Sequence, residues 1–176
     1  MSVFTKDDYN SGDGMLTAIW GPPMWHTLHT ISFNFPIKPS KEQKENYYQY
    51  FLTLQHILPC KYCRDNYKEN LKKLKYGKKH FKNRDTLSKF VYNLHEMINK
   101  NLGKESGLTY FAVRERYEHF RARCLTNIEE KPSKKEKGCT KPLHGVKSKC
   151  VLNIVPKSSK KKSLTIDKKC KLCKKE

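Results

Sequence analysis

The stretch at residues 58–63, LPCKYC, constrains this chain most, because it places two cysteines three residues apart between two segments of helical periodicity. Such a pair can close a tight disulfide or supply half of a metal site. Pro59 ends the upstream helix and Cys60 opens the downstream one, where the helix N-terminus favours a thiolate. The motif therefore favours redox chemistry over the two alternatives, a metal site and a structural disulfide.

The composition points to one modest domain with a tail. The chain has 176 residues, 36% of them hydrophobic, and a formal net charge of +20. No apolar run approaches the roughly 18 residues needed to span a bilayer, and the first 14 residues lack the apolar core of a secretory signal. We therefore expect a cytoplasmic protein that is not secreted. Seven cysteines are many for such a protein and call for a redox or metal role, and their odd number leaves at least one unpaired or intermolecular thiol.

Turn signals divide the chain into helices. The Trp20-Gly21 pair and the two prolines after it predict the start of the first helix, and Ser40 with Gln43 forms a capping box that starts the second. The five predicted helices cover roughly residues 21–35, 40–58, 60–76 (stopped by Gly77), 83–102 and 109–123. No strand is predicted in residues 15–124. The prediction is an all-α fold, a four-helix bundle with an additional fifth helix.

Composition also sets the boundaries of the predicted regions. Residues 1–14 form a polar, flexible arm, and residues 15–124 form the helical domain. Residues 125–176 form a basic, mostly disordered tail, because residues 129–176 hold 16 lysines against 5 acidic residues and no aromatic residue. The tail could bind an acidic partner such as nucleic acid, or it could be a solvated tail with no partner.

A second group of residues lies on two of the predicted helices. Trp25 and His29 are four residues apart, as are His95 and Asn99, so each pair shares one helix face, and Lys104 follows shortly afterwards. These side chains suit a planar, hydrogen-bonding ligand that carries phosphate. The alternative is that Trp25 and His95 are ordinary core residues.

Taken together, these pieces resemble the Erv/ALR family of FAD-linked sulfhydryl oxidases. Four segments match its patterns in chain order over residues 20–117: WGPPMWHTLH at 20–29, PCKYC at 59–63, RDTL at 84–87 and HEMINKNLGK at 95–104. The polar composition and basic tail are similar to the versions carried by large DNA viruses, which would place the protein in the host cytoplasm or the virion. Glu96 departs from the family pattern, which has asparagine there.

The resemblance implies an activity. A substrate dithiol would attack the Cys60–Cys63 disulfide at Cys60, and Cys63 would be the sulfur next to the flavin. The electrons would pass through FAD to molecular oxygen and give hydrogen peroxide. The resemblance also implies a homodimer, and dithiol protein substrates or a thioredoxin-like relay protein as partners.

The resemblance further implies which residues bind the cofactor, with Lys104 and Arg116 facing its phosphates. The predicted FAD-binding residues are Trp20, Gly21, Trp25, His29, His95, Asn99, Leu102, Lys104, Arg116 and Tyr117. The family's structural disulfide cannot form at its usual spacing, because Gly107 stands where the partner of Cys124 would be. Cys124 is therefore either free or paired with the tail.

The tail ends in a second motif, Cys170 and Cys173 with lysines around them, which favour the thiolate. The family's mobile shuttle disulfide would fit this position. The alternatives are inert cysteines or a zinc cluster that adds Cys139, His144 and Cys150.

The rival to an oxidase is a zinc-dependent nucleic-acid-binding module. Cys60 and Cys63 would then join Cys170 and Cys173 as a four-thiolate zinc site. The gap between the two pairs is far longer than in usual zinc folds, so we predict the oxidase and no metal.

Overall fold

The computed structural model describes residues 3–12, 14–123, 139–143, 146–160 and 167. In these ranges the chain forms six α-helices, one 3₁₀ turn and one pair of two-residue strands. The helices are α1 (Lys6–Asn10), α2 (Thr17–Asn34), α3 (Lys41–Ile57), α4 (Lys61–Lys73), α5 (Arg84–Asn101) and α6 (Tyr110–Glu118), and the 3₁₀ turn is Lys78–Phe81. The predicted all-α fold is confirmed.

The chain divides into two compact units, Met1–Gly107 and Leu108–Glu176. The first unit contains α1 to α5, and the second contains α6 and the strand pair. The sequence-based boundaries at residues 14 and 124 stay predictions. No helix within the described ranges is both long and apolar enough to cross a membrane.

The first unit is organised around a four-helix core. In it α2 packs against α5, α3 against α4, and α4 against α5. Leu87, Val91 and Leu94 on α5 are fully buried, as their spacing along one helix face predicts. The other buried members of the core are Leu28, Phe35, Phe51, Leu54, Leu58, Tyr67, Leu71, Phe81 and Phe90. Each such side chain contributes about 1.5–3 kcal/mol on burial, so this core supplies most of the stability of the bundle.

Local capping signals fix two helix starts correctly. Ser40 Oγ accepts the Gln43 N–H at 3.1 Å and Gln43 Oε1 accepts the Ser40 N–H at 2.9 Å, which closes the predicted capping box before α3. At α5, Asn83 Oδ1 accepts the Thr86 N–H at 3.0 Å. Both starts are confirmed because a cap needs only residues within one turn.

The first predicted helix starts earlier than the sequence indicates. We expected it to begin at about Gly21, but α2 begins at Thr17, so Pro22 and Pro23 lie inside the helix and remove two of its backbone hydrogen bonds. The additional turn is held by residues before it. The Trp20 indole N–H donates to the Met15 carbonyl at 3.0 Å.

The end predicted for the third helix is wrong. It was expected to reach Tyr76 and stop at Gly77, but α4 ends at Lys73. The Tyr76 N–H turns back to donate to the Leu71 carbonyl at 2.9 Å, the hydrogen bond of a Schellman cap. That cap needs a residue in the left-handed region, and here it is Lys75, with φ 51°. A lysine carries no sequence signal for this conformation.

We expect Lys75→Gly to stabilise the protein by up to about 1 kcal/mol. The left-handed conformation destabilises a lysine by roughly 1–2 kcal/mol. Glycine avoids this cost, but it loses more backbone entropy on folding, which offsets part of the gain. Urea unfolding measures the change. Lys73→Gly, at the last residue of α4, is the matched control and should destabilise by up to about 1 kcal/mol. A loss of stability in both variants would contradict strain at Lys75.

The fifth predicted helix, 109–123, is too long. The predicted start is correct to within one residue, since Thr109 is the N-cap of α6, but the helix ends at Glu118. The chain then forms β1 (Ala122–Arg123), which pairs antiparallel with β2 (Lys141–Pro142). The partner strand comes from the basic tail, so the sequence around residue 120 alone could not predict this pairing.

The predicted flexible arm, residues 1–14, contains one short helix within its described part, residues 3–12 and 14. The Thr5 Oγ1 accepts the Asp8 N–H at 3.2 Å and Asp8 Oδ2 accepts the Thr5 N–H at 2.7 Å. This capping box starts α1, all of whose residues are exposed. The helix follows from a local signal that the sequence analysis passed over.

The tail contains a bridged and a free cysteine among its described residues. Cys139 is disulfide-bonded and Cys150 is free and exposed. Residues 146–160 form neither helix nor strand.

Candidate active site

The two cysteines of the PCKYC motif form a disulfide at the N-terminus of α4. Their Cα atoms lie 5.1 Å apart. Cys60 is the N-cap residue, and its Sγ accepts the backbone N–H of Cys63 at 3.2 Å. Both residues are half-buried, and Tyr62 between them is 80% exposed. The disulfide is therefore reachable from solvent, and the positive end of the helix favours a thiolate once it is reduced.

An arginine that the sequence analysis missed supports the motif. Arg64 follows the second cysteine, and its Nη1 donates to the Leu58 carbonyl at 2.6 Å. Leu58 is buried in the core, so this hydrogen bond ties the end of α3 to the start of α4. The guanidinium also places a permanent positive charge next to the motif, which favours a thiolate there. A basic residue directly after a CxxC motif is the sequence signal that could have identified it.

The segment of residues 14–17, called here the strap, lies against the disulfide. Gly14 forms an antiparallel bridge with Cys60, and the Met15 N–H donates to the Pro59 carbonyl at 2.9 Å. Gly14 has φ +103°, and a Cβ on it would lie 2.8 Å from the Pro59 oxygen. Only glycine fits there. At the end of the strap, Thr17 Oγ1 lies 3.9 Å from Cys63 Sγ.

A cluster of rings joins α2 to α5. The Trp25 and His95 rings stack with centroids 3.9 Å apart and an interplanar angle of 5°. His29 Nε2 lies 3.0 Å from His95 Nδ1, so one nitrogen donates a hydrogen bond to the other. The structure thus brings together three of the predicted ligand-binding residues from two helices. Trp25 lies eight residues after Thr17 on α2, about 12 Å along the axis at 1.5 Å per residue.

Burial keeps both imidazoles neutral. Desolvation, together with the smaller effects of the neighbouring His95 and His26, lowers the pKa of His29 to about 3. Desolvation also lowers the pKa of His95 to about 4, although Glu96 opposes the shift. Near pH 7 the cluster is therefore an uncharged set of flat rings with ring N–H donors and nitrogen acceptors. Such a set suits a heteroaromatic ligand better than a cation.

The histidine pair makes stability depend on pH. Both pKa values are lower in the folded chain than in the unfolded one, so lowering the pH below about 6.5 protonates the unfolded state first. We expect the free energy of unfolding to fall from about pH 7 to about pH 5, by at most ~1.4 kcal/mol per pH unit for each histidine. Urea unfolding of protein stripped of small molecules measures this loss. The His29→Gln, His95→Gln double variant should lose less over the same interval, and an equal loss would contradict the prediction.

Other predicted ligand-binding residues lie at the end of α5 and in the turn that follows it. Asn99 Nδ2 donates to Glu96 Oε1 at 3.1 Å, and the Asn99 carbonyl accepts the Lys104 N–H at 2.8 Å. Leu102 and Lys104 are exposed beside this turn. Their roles toward a ligand stay predictions.

The remaining predicted ligand-binding residues lie at the start of α2 and on α6. Trp20 and Gly21 lie in the first turns of α2, where the Trp20 indole contacts the strap. Arg116 and Tyr117 lie on α6 in the second unit, and burial raises the pKa of Tyr117 to about 12. Cys124, the two tail cysteines Cys170 and Cys173, and His144 lie outside the described residues.

The zinc alternative is not supported. Cys60 and Cys63 are joined in a disulfide, so neither offers a thiolate to a metal. Within the described part of the chain, no group of three or more histidine, cysteine, aspartate or glutamate residues could hold a metal ion.

Comparison with known sequences gives a family. The profile of the "Erv1 / Alr family" matches residues 22–121. A "Probable FAD-linked sulfhydryl oxidase" of Acanthamoeba polyphaga mimivirus is 34% identical over 91 residues, which is 52% of this chain and 63% of that protein. The "FAD-linked sulfhydryl oxidase ERV1" of Arabidopsis thaliana is 29% identical over 84 residues, 48% of this chain and 42% of that protein. The chain thus spans less than two thirds of either relative.

Solved structures are similar in fold. The yeast Erv1 core superimposes with a TM-score of 0.53 at 20% identity. The match covers 66% of this chain and 92% of the yeast chain. The FAD binding domain of Erv1 from Saccharomyces cerevisiae gives a TM-score of 0.52 at 24% identity, over 58% of this chain and 94% of that one. At these identities the likeness concerns the fold alone.

Proposed function

Because this chain belongs to the Erv1 / Alr family, we propose that it is a FAD-linked sulfhydryl oxidase that makes disulfides in dithiol substrates. The observation that carries the proposal is the half-buried Cys60–Cys63 disulfide at the start of α4. A reachable disulfide at a helix N-terminus is suited to exchange with thiols. The names of the mimivirus and Arabidopsis relatives support the same activity.

The ring cluster has the chemistry that FAD requires. The Trp25–His95 pair offers a flat surface, and the two neutral imidazoles offer donors and acceptors without placing charge against an aromatic ring system. Trp25, His29 and His95 would hold a ring of the cofactor, and Lys104, exposed past the end of α5, would face its phosphates. Bound FAD would supply the two-electron chemistry that links thiols to molecular oxygen and yields hydrogen peroxide.

The motif's own residues carry the thiol chemistry. A substrate thiolate attacks Cys60 Sγ, which breaks the Cys60–Cys63 bond, forms a mixed disulfide and releases Cys63 as a thiolate. The second substrate thiolate then attacks the substrate sulfur of the mixed disulfide. The oxidised substrate leaves, and Cys60 is freed as a thiolate that the Cys63 N–H stabilises until it takes up a proton and becomes a thiol. Cys63 packs against the core, so Cys60 is the more reachable sulfur for a substrate.

The partners follow from this chemistry. We propose dithiol proteins or a thioredoxin-like relay protein as substrates, oxygen as the final acceptor and a homodimer as the assembly. The lysine excess of the tail supports an acidic partner, and its Cys170–Cys173 motif supports an electron shuttle to Cys60. Cys170 and Cys173 lie outside the described residues.

Oxygen consumption tests the proposal. Purified full chain should contain bound FAD, consume oxygen when dithiothreitol is added, and release one hydrogen peroxide for each dithiol oxidised. The Cys150→Ser variant, which changes an exposed free cysteine, should behave like the unmodified chain. A protein that binds no FAD, or that binds it and consumes no oxygen with dithiothreitol, would overturn the assignment.

A further inference from the structure

The two sulfurs of the Cys60–Cys63 disulfide have different surroundings. Cys60 Sγ already accepts the backbone N–H of Cys63 at 3.2 Å, within its own helix turn. Cys63 Sγ instead lies 3.9 Å from the hydroxyl of Thr17, which is 46 residues away in the chain. A disulfide sulfur carries no hydrogen, so the Thr17 hydroxyl is the donor in this contact.

The strap fixes the position of that hydroxyl. Thr17 is exposed, so burial does not hold it in place. Its position is set by the Gly14–Cys60 bridge, by the Met15 N–H to Pro59 carbonyl bond at 2.9 Å, and by the Trp20 indole bond to the Met15 carbonyl at 3.0 Å. The first two contacts attach the segment before α2 to Cys60 and Pro59, and the third attaches it to α2 itself. The contacts with Pro59 and Cys60 thus place the Thr17 hydroxyl next to Cys63 Sγ, the second sulfur of the same motif.

We propose that Thr17 is a positioning residue for the redox reaction, whose hydroxyl donates to Cys63 Sγ and holds it as a thiolate after the disulfide is reduced. The inference rests on the proposed function, which supplies the reduction step. In that step a dithiol becomes a disulfide and gives two electrons and two protons. One proton stays on Cys60 as a thiol, and the other is released to solvent, which leaves Cys63 as the thiolate. A hydrogen bond to a charged sulfur is stronger than one to a neutral sulfur, so the contact favours this state.

The pH dependence of alkylation measures the thiolate directly. In full-length chain carrying Cys60→Ser, Cys63 is the single thiol of the motif, and the new serine can still cap α4. Iodoacetamide reacts with thiolates, and quantifying the Cys63 peptide by mass spectrometry at each pH gives the midpoint of its titration. Adding Thr17→Val, which keeps the shape and removes the hydroxyl, should raise this midpoint by about one pH unit, a tenfold loss of thiolate at fixed pH.

Two further variants separate the hydroxyl from general packing. Thr17→Ser restores the donor and should return the midpoint to that of the parent. Gly14→Ala should raise it, because the new Cβ would lie 2.8 Å from the Pro59 oxygen and displace the strap, whereas Gly12→Ala has nothing within 4 Å and should not. An unchanged midpoint in Thr17→Val, or an equal rise in Thr17→Ser, would overturn the inference.

The titration needs no turnover and therefore separates this inference from the proposed function. A chain that shows the midpoint shift but oxidises no dithiol would refute the oxidase assignment and retain the role of Thr17. A chain that oxidises dithiols but whose Cys63 titration midpoint is unchanged by Thr17→Val would retain the oxidase assignment and refute the role of Thr17.

Discussion

Replacing Cys60 or Cys63 with serine should lower dithiol oxidation at least about a thousandfold, because residues that act as one unit fail together when either is removed. Each substitution leaves no disulfide for a substrate to reduce. FAD content should stay that of the unmodified chain. Serine is a good N-cap residue, so Cys60→Ser keeps the start of α4, and neither cysteine belongs to the ring cluster.

Oxygen consumption with dithiothreitol, together with the absorbance of bound flavin, checks this result. Cys150→Ser is the matched control, since Cys150 is free and exposed. It should retain both activity and flavin. Near-normal oxygen consumption in Cys60→Ser or Cys63→Ser would mean that another pair of cysteines receives the substrate's electrons.

Replacing His95 with alanine should remove most of the bound FAD and lower the melting temperature together. His95 stacks on Trp25 and shares a hydrogen bond with His29, which is only 4% exposed. The substitution removes one face of the ring cluster and leaves a buried imidazole nitrogen without this partner, which costs roughly 1–3 kcal/mol. Losing a ligand that binds only the folded state lowers stability further.

Flavin content and thermal unfolding, with and without added FAD, measure both effects. Excess FAD should raise the melting temperature of the unmodified chain and have little effect on His95→Ala at the same concentration. Asn99→Ala should change both quantities in the same direction. His56→Ala, at an exposed position near the end of α3, is the control and should change neither. Stoichiometric FAD with an unchanged melting temperature in His95→Ala and Asn99→Ala would refute the assigned cofactor site.

The fold could be predicted from sequence wherever one turn of chain decides the outcome. The capping boxes at Ser40 and Asn83 place two helix starts correctly, because each cap involves only the next three residues. The start of α2 was missed because Met15, in contact with Pro59 more than forty residues later, holds the additional turn. The end of α4 was missed because Lys75 adopts a conformation that usually requires glycine.

For the site, too, sequence predicts which residues share a helix face but not which residues meet between helices. Helical spacing predicts that Trp25 and His29 share a face, as do His95 and Asn99, but it cannot state that α2 packs against α5 so that Trp25 stacks on His95. Asn99 instead donates to Glu96 on its own helix. Thr17 gives no sequence signal, because its position beside the motif depends on the tertiary course of the strap.

The central claim is that electrons from a dithiol reach FAD through Cys60 and Cys63. Anaerobic addition of dithiothreitol to purified full chain, followed by the yellow absorbance of the bound flavin, tests it most directly. We predict that this absorbance is lost rapidly in the unmodified chain and returns with hydrogen peroxide when air is admitted, while Cys63→Ser stays yellow on the same timescale. Equally rapid loss of absorbance in Cys63→Ser would contradict the claim.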